Sequence, residues 1–199
     1  MPQAIDFYFD FSSPYGYLAA EKINALAAQH GRGVNWRPIL LGAVFKMNGQ
    51  QPLTAIPMKG SYAKHDMLRS ARLIGVPFKL PSRFPINGVA ATRAFYWLNN
   101  KNADLAQNFA RATYRAFFAE DRDISAAEVV TEIATKLGVD TTDTATALAD
   151  SAVKDLARKE VDAAIANGVF GSPYFVVDGE PFWGADRLDQ IAAWLTKPW

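Results

Sequence analysis

Apolar and polar residues alternate from Ile5 to Asp10, with Ile5, Phe7 and Phe9 on one side and Asp6, Tyr8 and Asp10 on the other. A period of two predicts a half-buried β-strand. The period then changes, and Ala19, Ile23, Leu26 and Ala27 recur at the spacing of one helical face. His30-Gly31-Arg32-Gly33 turns the chain into a second alternating run, Val34 to Arg37, which Pro38 ends. Strand, helix and strand make a βαβ unit, long enough in its connection for a right-handed crossover between parallel strands.

The stretch from Lys46 to Pro57 is polar and proline-punctuated, the pattern of a long functional or mobile connection that could cover a site. From Lys59 to Asn167 alternation is gone and helical spacing takes over. Ala63, Met67, Leu68, Ala71 and Ile74 mark one helix, Ala90, Ala94, Trp97 and Leu98 a second, and Leu105, Phe109, Ala112, Ala116 and Phe117 a third. Ser125 with Glu128 three residues on, flanked by Ile124 and Val129, has the spacing of a capping box with a hydrophobic staple, and Gly138 stops the helix it starts. A short helix near Thr144 to Asp150 and a longer one ending at Asn167-Gly168 complete the block.

Strand pattern returns at Tyr174 to Val177 and Glu180 to Trp183, joined by Asp178-Gly179 as a hairpin. Pro181 places one arm at the sheet edge or at a bulge. A last helix opens at Gly184-Ala185-Asp186 and keeps Leu188, Ile191, Ala192 and Leu195 on one face. The order is βαβ, a large helical insertion, then ββα. The fold class is therefore α/β, with residues 1–45 and 168–199 as the sheet-bearing part and 46–167 as a loop plus helical insertion.

The change of period falls within Asp10-Phe11-Ser12-Ser13-Pro14-Tyr15-Gly16-Tyr17. Pro14 suits a first helical position, so Ser13 falls at the N-cap, where free backbone N–H groups and the positive end of the helix dipole converge. Ser13 then either caps its helix and no more, or offers its hydroxyl to an anion.

Composition narrows the chemistry. Among 199 residues, half of them hydrophobic, there is enough apolar material for one well-buried core. A net charge of +1, from 21 basic and 20 acidic residues, gives no field to gather nucleic acid or an anionic membrane, so small molecules are the expected partners. Cysteine is absent, which removes disulfides, thiolate metal sites and protein-thiol redox chemistry; a reactive sulfur here would arrive with a ligand. His30 and His65 show no metal spacing. Without a basic segment ahead of an apolar run near the start, or any run of membrane-spanning length, a cytoplasmic location is expected.

Asp10-Phe11-Ser12-Ser13-Pro14-Tyr15 resembles the serine motif of the kappa-class glutathione transferases and 2-hydroxychromene-2-carboxylate isomerases. Gly168-Val169-Phe170-Gly171-Ser172-Pro173 and Phe182-Trp183-Gly184-Ala185-Asp186-Arg187-Leu188 resemble that group's closing motifs, in the same order along the chain. The resemblance implies a thioredoxin-like fold of the DsbA type with glutathione as the cofactor. It implies that the Ser13 hydroxyl faces the glutathione thiol, that Pro173 is a cis-proline and that Ser172 offers backbone groups to the cysteinyl part. It further implies that Asp186 pairs with the γ-glutamyl ammonium, beside Ala185, and that Lys59 sits near a glutathione carboxylate. Gln50 stands where the kappa pattern has an asparagine, Gly16 where many relatives have serine, and Ala185 where they have serine or asparagine.

Arg83 and Asn87, beside a proline-rich bridge, are candidates for a substrate carboxylate or a developing enolate. The alternative reading makes them a surface arginine and a capping asparagine. Trp97, Phe109, Phe117 and Phe118 read as core of the helical block. The resemblance thus implies a glutathione-dependent cis-trans isomerase acting on an aromatic or conjugated 2-oxo acid, in a homodimer, and the absence of cysteine argues against a disulfide oxidoreductase. A kappa-like transferase or peroxidase, and a thioredoxin-fold binding module without catalysis, are the alternatives.

Overall fold

A computed structural model describes residues 3–199. β1 (Ile5–Phe9) pairs in parallel with β2 (Val34–Pro38), placing Phe7 opposite Trp36. On its other side β1 meets β3 (Tyr174–Val177) antiparallel, with Phe7 opposite Phe175, and β3 pairs antiparallel with β4 (Glu180–Trp183). The sheet order β2-β1-β3-β4 leaves β4 at an edge, where Pro181 removes no N–H that a further strand would need. Asp178 and Gly179 turn the hairpin with φ of 53° and 90°, two positive values in succession that match the right-handed twist of the arms.

Helices cover both faces. After the corner come α1 (Pro14–Ala20) and α2 (Ile23–Gln29) in place of the single helix that the spacing predicts. The Lys22 N–H closes on Ala19 O at 3.0 Å, tightening the last turn of α1, and Leu26 N–H bonds Lys22 O to start a new helix. The restart keeps Ile23 and Ala27 fully buried. The expected polar connection is shorter than the pattern implies, because α3 (Leu41–Asn48) occupies its first residues and a 3-10 turn, Leu53–Ala55, its middle.

The insertion holds α4 (Lys59–Ile74), α5 (Val89–Asn99), α6 (Ala103–Phe118), α7 (Ala127–Lys136), α8 (Thr141–Ala149) and α9 (Ser151–Ala166), and α10 (Leu188–Thr196) closes the chain. The capping box does not form. Ser125 donates its hydroxyl and its N–H to Asp123 Oδ1, and Ala126 takes the N-cap of α7. The aspartate two residues earlier offers a closer acceptor than the first helical turn.

Sheet and insertion share one core. Phe9 touches Phe95 and Tyr114 edge-on or tilted at 5.7 and 5.8 Å between ring centres, and Tyr17 and Phe118 stack at 5.6 Å. Phe109, Phe117 and Phe118 are buried in it, whereas Trp97 is half-buried with the Lys101 ammonium 4.2 Å above its ring. A second, smaller cluster on the opposite sheet face joins Tyr8 and Tyr174 to Ile39, Val44, Ala164 and Val169. The two clusters clamp β1, which therefore delivers the residues that follow it, 10–13, at a rigid position.

Candidate functional site

The corner is built on Asp10, only 4% exposed. Its Oδ1 accepts from the Ser12 N–H and the Ser12 hydroxyl, each at 2.6 Å, and its Oδ2 accepts from the Leu41 N–H at 2.6 Å. Asp10 O accepts from Ser13 N–H at 2.8 Å and from the Tyr114 hydroxyl at 2.9 Å, and Asp10 N–H donates to Ser172 Oγ at 2.9 Å. Burial pushes the Asp10 carboxyl above its ordinary range, against the opposing pull of the Ser12 hydroxyl and the Leu41 and Ser12 N–H groups.

Ser13 is the N-cap of α1, with φ −88° and ψ 114°, and is 3% exposed. Its Oγ accepts from Gly16 N–H at 3.0 Å and donates to Ser172 O at 2.9 Å. The capping reading of Ser13 and its contact with the Ser172-Pro173 segment are thus both present. An oxygen that already accepts one hydrogen bond is the better donor for the next. The Ser172–Pro173 peptide is cis, as is Phe84–Pro85. Gly184 N–H donates to Pro173 O at 3.1 Å, which ties the Gly184-Ala185-Asp186 turn to the same segment.

Neither tyrosine beside this ring is a ready base. Burial, with Asp10 nearby, pushes the Tyr114 phenol well above its usual value, and burial first, then Glu21, pushes Tyr17 up to about 12. Both keep their protons at neutral pH. What the corner offers is a buried hydroxyl donor, backbone N–H groups at the start of α1 and the exposed rim around them.

The rim residues lie on separate elements. Ala185 packs against the large core, and Asp186 is exposed in the 3-10 turn Ala185–Arg187, where its Oδ2 accepts from Arg187 Nη1 at 3.0 Å. Lys59 is exposed at the first position of α4, a helix joined to α1 by the Tyr15 hydroxyl, which donates to Asp66 at 2.7 Å. Gln50 is exposed just past α3, its N–H donating to Asn48 Oδ1 at 3.1 Å. Arg83 is exposed and engaged with Asp123, and Asn87 caps its own turn by accepting from Val89 N–H at 2.9 Å. The Asn87-Gly88 segment nevertheless runs over the corner, since a Cβ on Gly88 would stand 3.3 Å from Phe11 Cβ. The structure thus joins Ser13, Ser172 and Pro173 directly, links Ala185 and Asp186 to them through Gly184, and leaves Gln50, Lys59, Arg83 and Asn87 without a hydrogen bond to that ring among the described residues.

Residues 4–196 match the DsbA-like thioredoxin domain. The chain belongs to the DsbA-like thioredoxin family. Within it, the chain is 30% identical to glutathione S-transferase kappa 2 of Caenorhabditis elegans, over 98% of this chain and 93% of that one. It is 29% identical to the 2-hydroxychromene-2-carboxylate isomerase of Pseudomonas putida, over 92% of this chain and 90% of that one. A solved 2-hydroxychromene-2-carboxylate isomerase superposes with a TM-score of 0.88 at 27% identity, covering 98% of this chain and 95% of the other. These relatives support an enzyme with an isomerase or glutathione-transferase type of activity.

Neither this corner nor the rest of the chain carries a cysteine. Two of its residues escape a reading of the sequence. Asp10 carries a signal, since an aspartate two residues before a serine favours a local side-chain turn. Tyr114 carries none, because it lies 104 residues from the carbonyl it bonds.

Proposed function

We propose that the protein is a glutathione-dependent cis-trans isomerase acting on an aromatic or conjugated 2-oxo acid. The observation that carries this reading is the buried Ser13 hydroxyl, held between Gly16 N–H and Ser172 O in a chain that has no sulfur nucleophile of its own. Glutathione would supply the nucleophile. A thiol of ordinary pKa, about 8.5, needs a donor beside it to be thiolate at neutral pH.

Ser13 has one hydroxyl proton, and it points at Ser172 O. To stabilise the thiolate the proton swings to sulfur, and the carbonyl it leaves is free to accept the cysteinyl N–H of the tripeptide. Gly16 N–H stays on Ser13 Oγ throughout and strengthens it as a donor. Asp186 and Lys59 are assigned to the γ-glutamyl ammonium and a glutathione carboxylate, with Ala185 as the backbone beside the first and Gln50 at the rim.

Bound glutathione would supply a thiolate for reversible addition to the conjugated double bond, leaving a rotatable single bond until elimination returns the thiol unchanged. Arg83 or Asn87 would hold the carboxylate or the enolate; the Arg83–Asp123 pair is exposed, so releasing it costs about 0–1 kcal/mol.

A second reading, a kappa-like transferase or peroxidase, is favoured by the 30% identity to glutathione S-transferase kappa 2 and uses the same thiolate with a different electrophile. Isomerisation of a conjugated aromatic 2-oxo acid, followed beside conjugation of an aryl halide, separates the two. The isomerase reading expects turnover that saturates with glutathione and vanishes without it. Isomerisation at an undiminished rate in the absence of any thiol would contradict it.

A further inference from the structure

Asp10 ties together four segments around Ser13, namely Ser12-Ser13, Leu41, Tyr114 and Ser172. Three hydrogen bonds close a ring of Asp10, Ser13 and Ser172: Ser13 N–H to Asp10 O at 2.8 Å, Asp10 N–H to Ser172 Oγ at 2.9 Å, and Ser13 Oγ to Ser172 O at 2.9 Å. The Asp10 side chain fixes the ring from outside. Its Oδ1 grips Ser12 by both N–H and hydroxyl, and its Oδ2 holds the first N–H of α3, whose own N-cap Leu40 has no side-chain acceptor to offer. On the far side the Tyr114 hydroxyl, brought by α6, occupies Asp10 O.

We propose that Asp10 is a positioning residue for the Ser13 hydroxyl, setting how strongly the bound glutathione thiol is ionised; this rests on the glutathione reading given above. The physical reason is that the direction of Ser13 Oγ follows the backbone that carries it, and Asp10 holds that backbone at two successive residues: its carboxylate takes the Ser12 N–H and hydroxyl, and its carbonyl takes the Ser13 N–H. The carboxylate is not an ion-pair partner: none of the ion pairs among the described residues includes it. The titratable group facing it from α6 is the protonated Tyr114 phenol, and from α3 it meets a backbone N–H alone. Its charge is offset by three short donors, so an uncharged isostere changes the hydrogen bonding rather than leaving an orphaned ion. Asparagine keeps an acceptor for Ser12 but turns an NH2 toward the Leu41 N–H, donor against donor.

The test is Asp10→Asn, with glutathione binding followed by calorimetry and thiolate formation followed by ultraviolet difference absorbance across pH. The expected result is a KM for glutathione within about threefold of the parent, a fall in kcat of tenfold or more, and a rise of about one pH unit in the midpoint of thiol ionisation, a tenfold change in the ionisation constant of the bound thiol. A lower melting temperature with kcat and midpoint unchanged makes Asp10 purely structural and overturns the inference. If Asp10→Asn does not fold, Ser12→Ala removes one donor from Oδ1 and leaves Ser13 in place; a smaller rise in the same midpoint supports the inference and an unmoved one overturns it. A parent protein with which the glutathione thiol ionises at the same midpoint as in free solution overturns the glutathione reading itself, whereas a lowered midpoint in the parent that neither variant moves overturns only the role of Asp10.

Discussion

A Cβ at position 16 would stand 2.6 Å from the Tyr114 hydroxyl oxygen and 2.8 Å from Ser172 Oγ. Both oxygens are already committed, to Asp10 O and Asp10 N–H, so neither moves without breaking a bond of the ring. A serine here would need a different placement of Tyr114. Gly16→Ala should therefore cost about 1–3 kcal/mol by overpacking. Adding Tyr114→Phe, which removes the nearer oxygen, should return part of that loss, a coupling readable in a double-mutant cycle by thermal or urea unfolding. Additive effects of the two substitutions would show that the 2.6 Å approach does not govern the corner. Ser13 was legible in the sequence because the cap and its proline are adjacent to the change of period. The partners of Asp10 were not, since Leu41 and Ser172 lie 31 and 162 residues away and only the folded sheet brings them together.

Among the elements, the β3–β4 hairpin is tied to the entrance of β2 by Arg32, whose Nη1 and Nη2 reach Asp178 Oδ2 and Oδ1 at 3.0 and 2.5 Å. The Arg32 guanidinium holds the Asp178 carboxyl below its ordinary range. A carboxyl with a depressed folded pKa contributes stability above its unfolded pKa, near 4, and loses that contribution as pH falls through the lower folded value. The pair is partly exposed, so its worth is about 0.5 kcal/mol. Asp178→Asn should lower stability by that amount at pH 7 and by nothing once the pH is well below the carboxylate range; a loss that persists undiminished in acid would contradict the assignment. Strands, hairpin and most helices of the insertion could be read from periodicity. The break at Glu21-Lys22 could not, because apolar spacing runs through it, and the start of α7 was misplaced because Asp123 outcompetes the helix for Ser125.

The whole molecule departs most from its linear pattern in how its parts cohere. The sequence divides into a sheet-bearing part and an inserted block, yet Phe9, Phe11 and Tyr17 from the first pack on Phe95, Phe109, Tyr114 and Phe118 from the second. With so much aromatic surface shared, the two parts should unfold in one transition, coincident by tryptophan fluorescence and far-ultraviolet circular dichroism. Phe9→Ala should lower that single midpoint through a loss of about 3–5 kcal/mol. Two separated transitions would mean that the insertion folds on its own. The shared core is also what holds α6, and so Tyr114, against the corner where chemistry is proposed.

That proposal reduces to one requirement, that a borrowed thiol is ionised at Ser13. The direct measurement is the ultraviolet thiolate absorbance of glutathione on mixing with the protein at neutral pH, compared with Ser13→Ala. The account predicts a thiolate band with the parent chain and its loss in the variant, accompanied by a fall in kcat/KM of about 10²–10³-fold. Bound glutathione that stays protonated, or a band of equal strength without the hydroxyl, would contradict it.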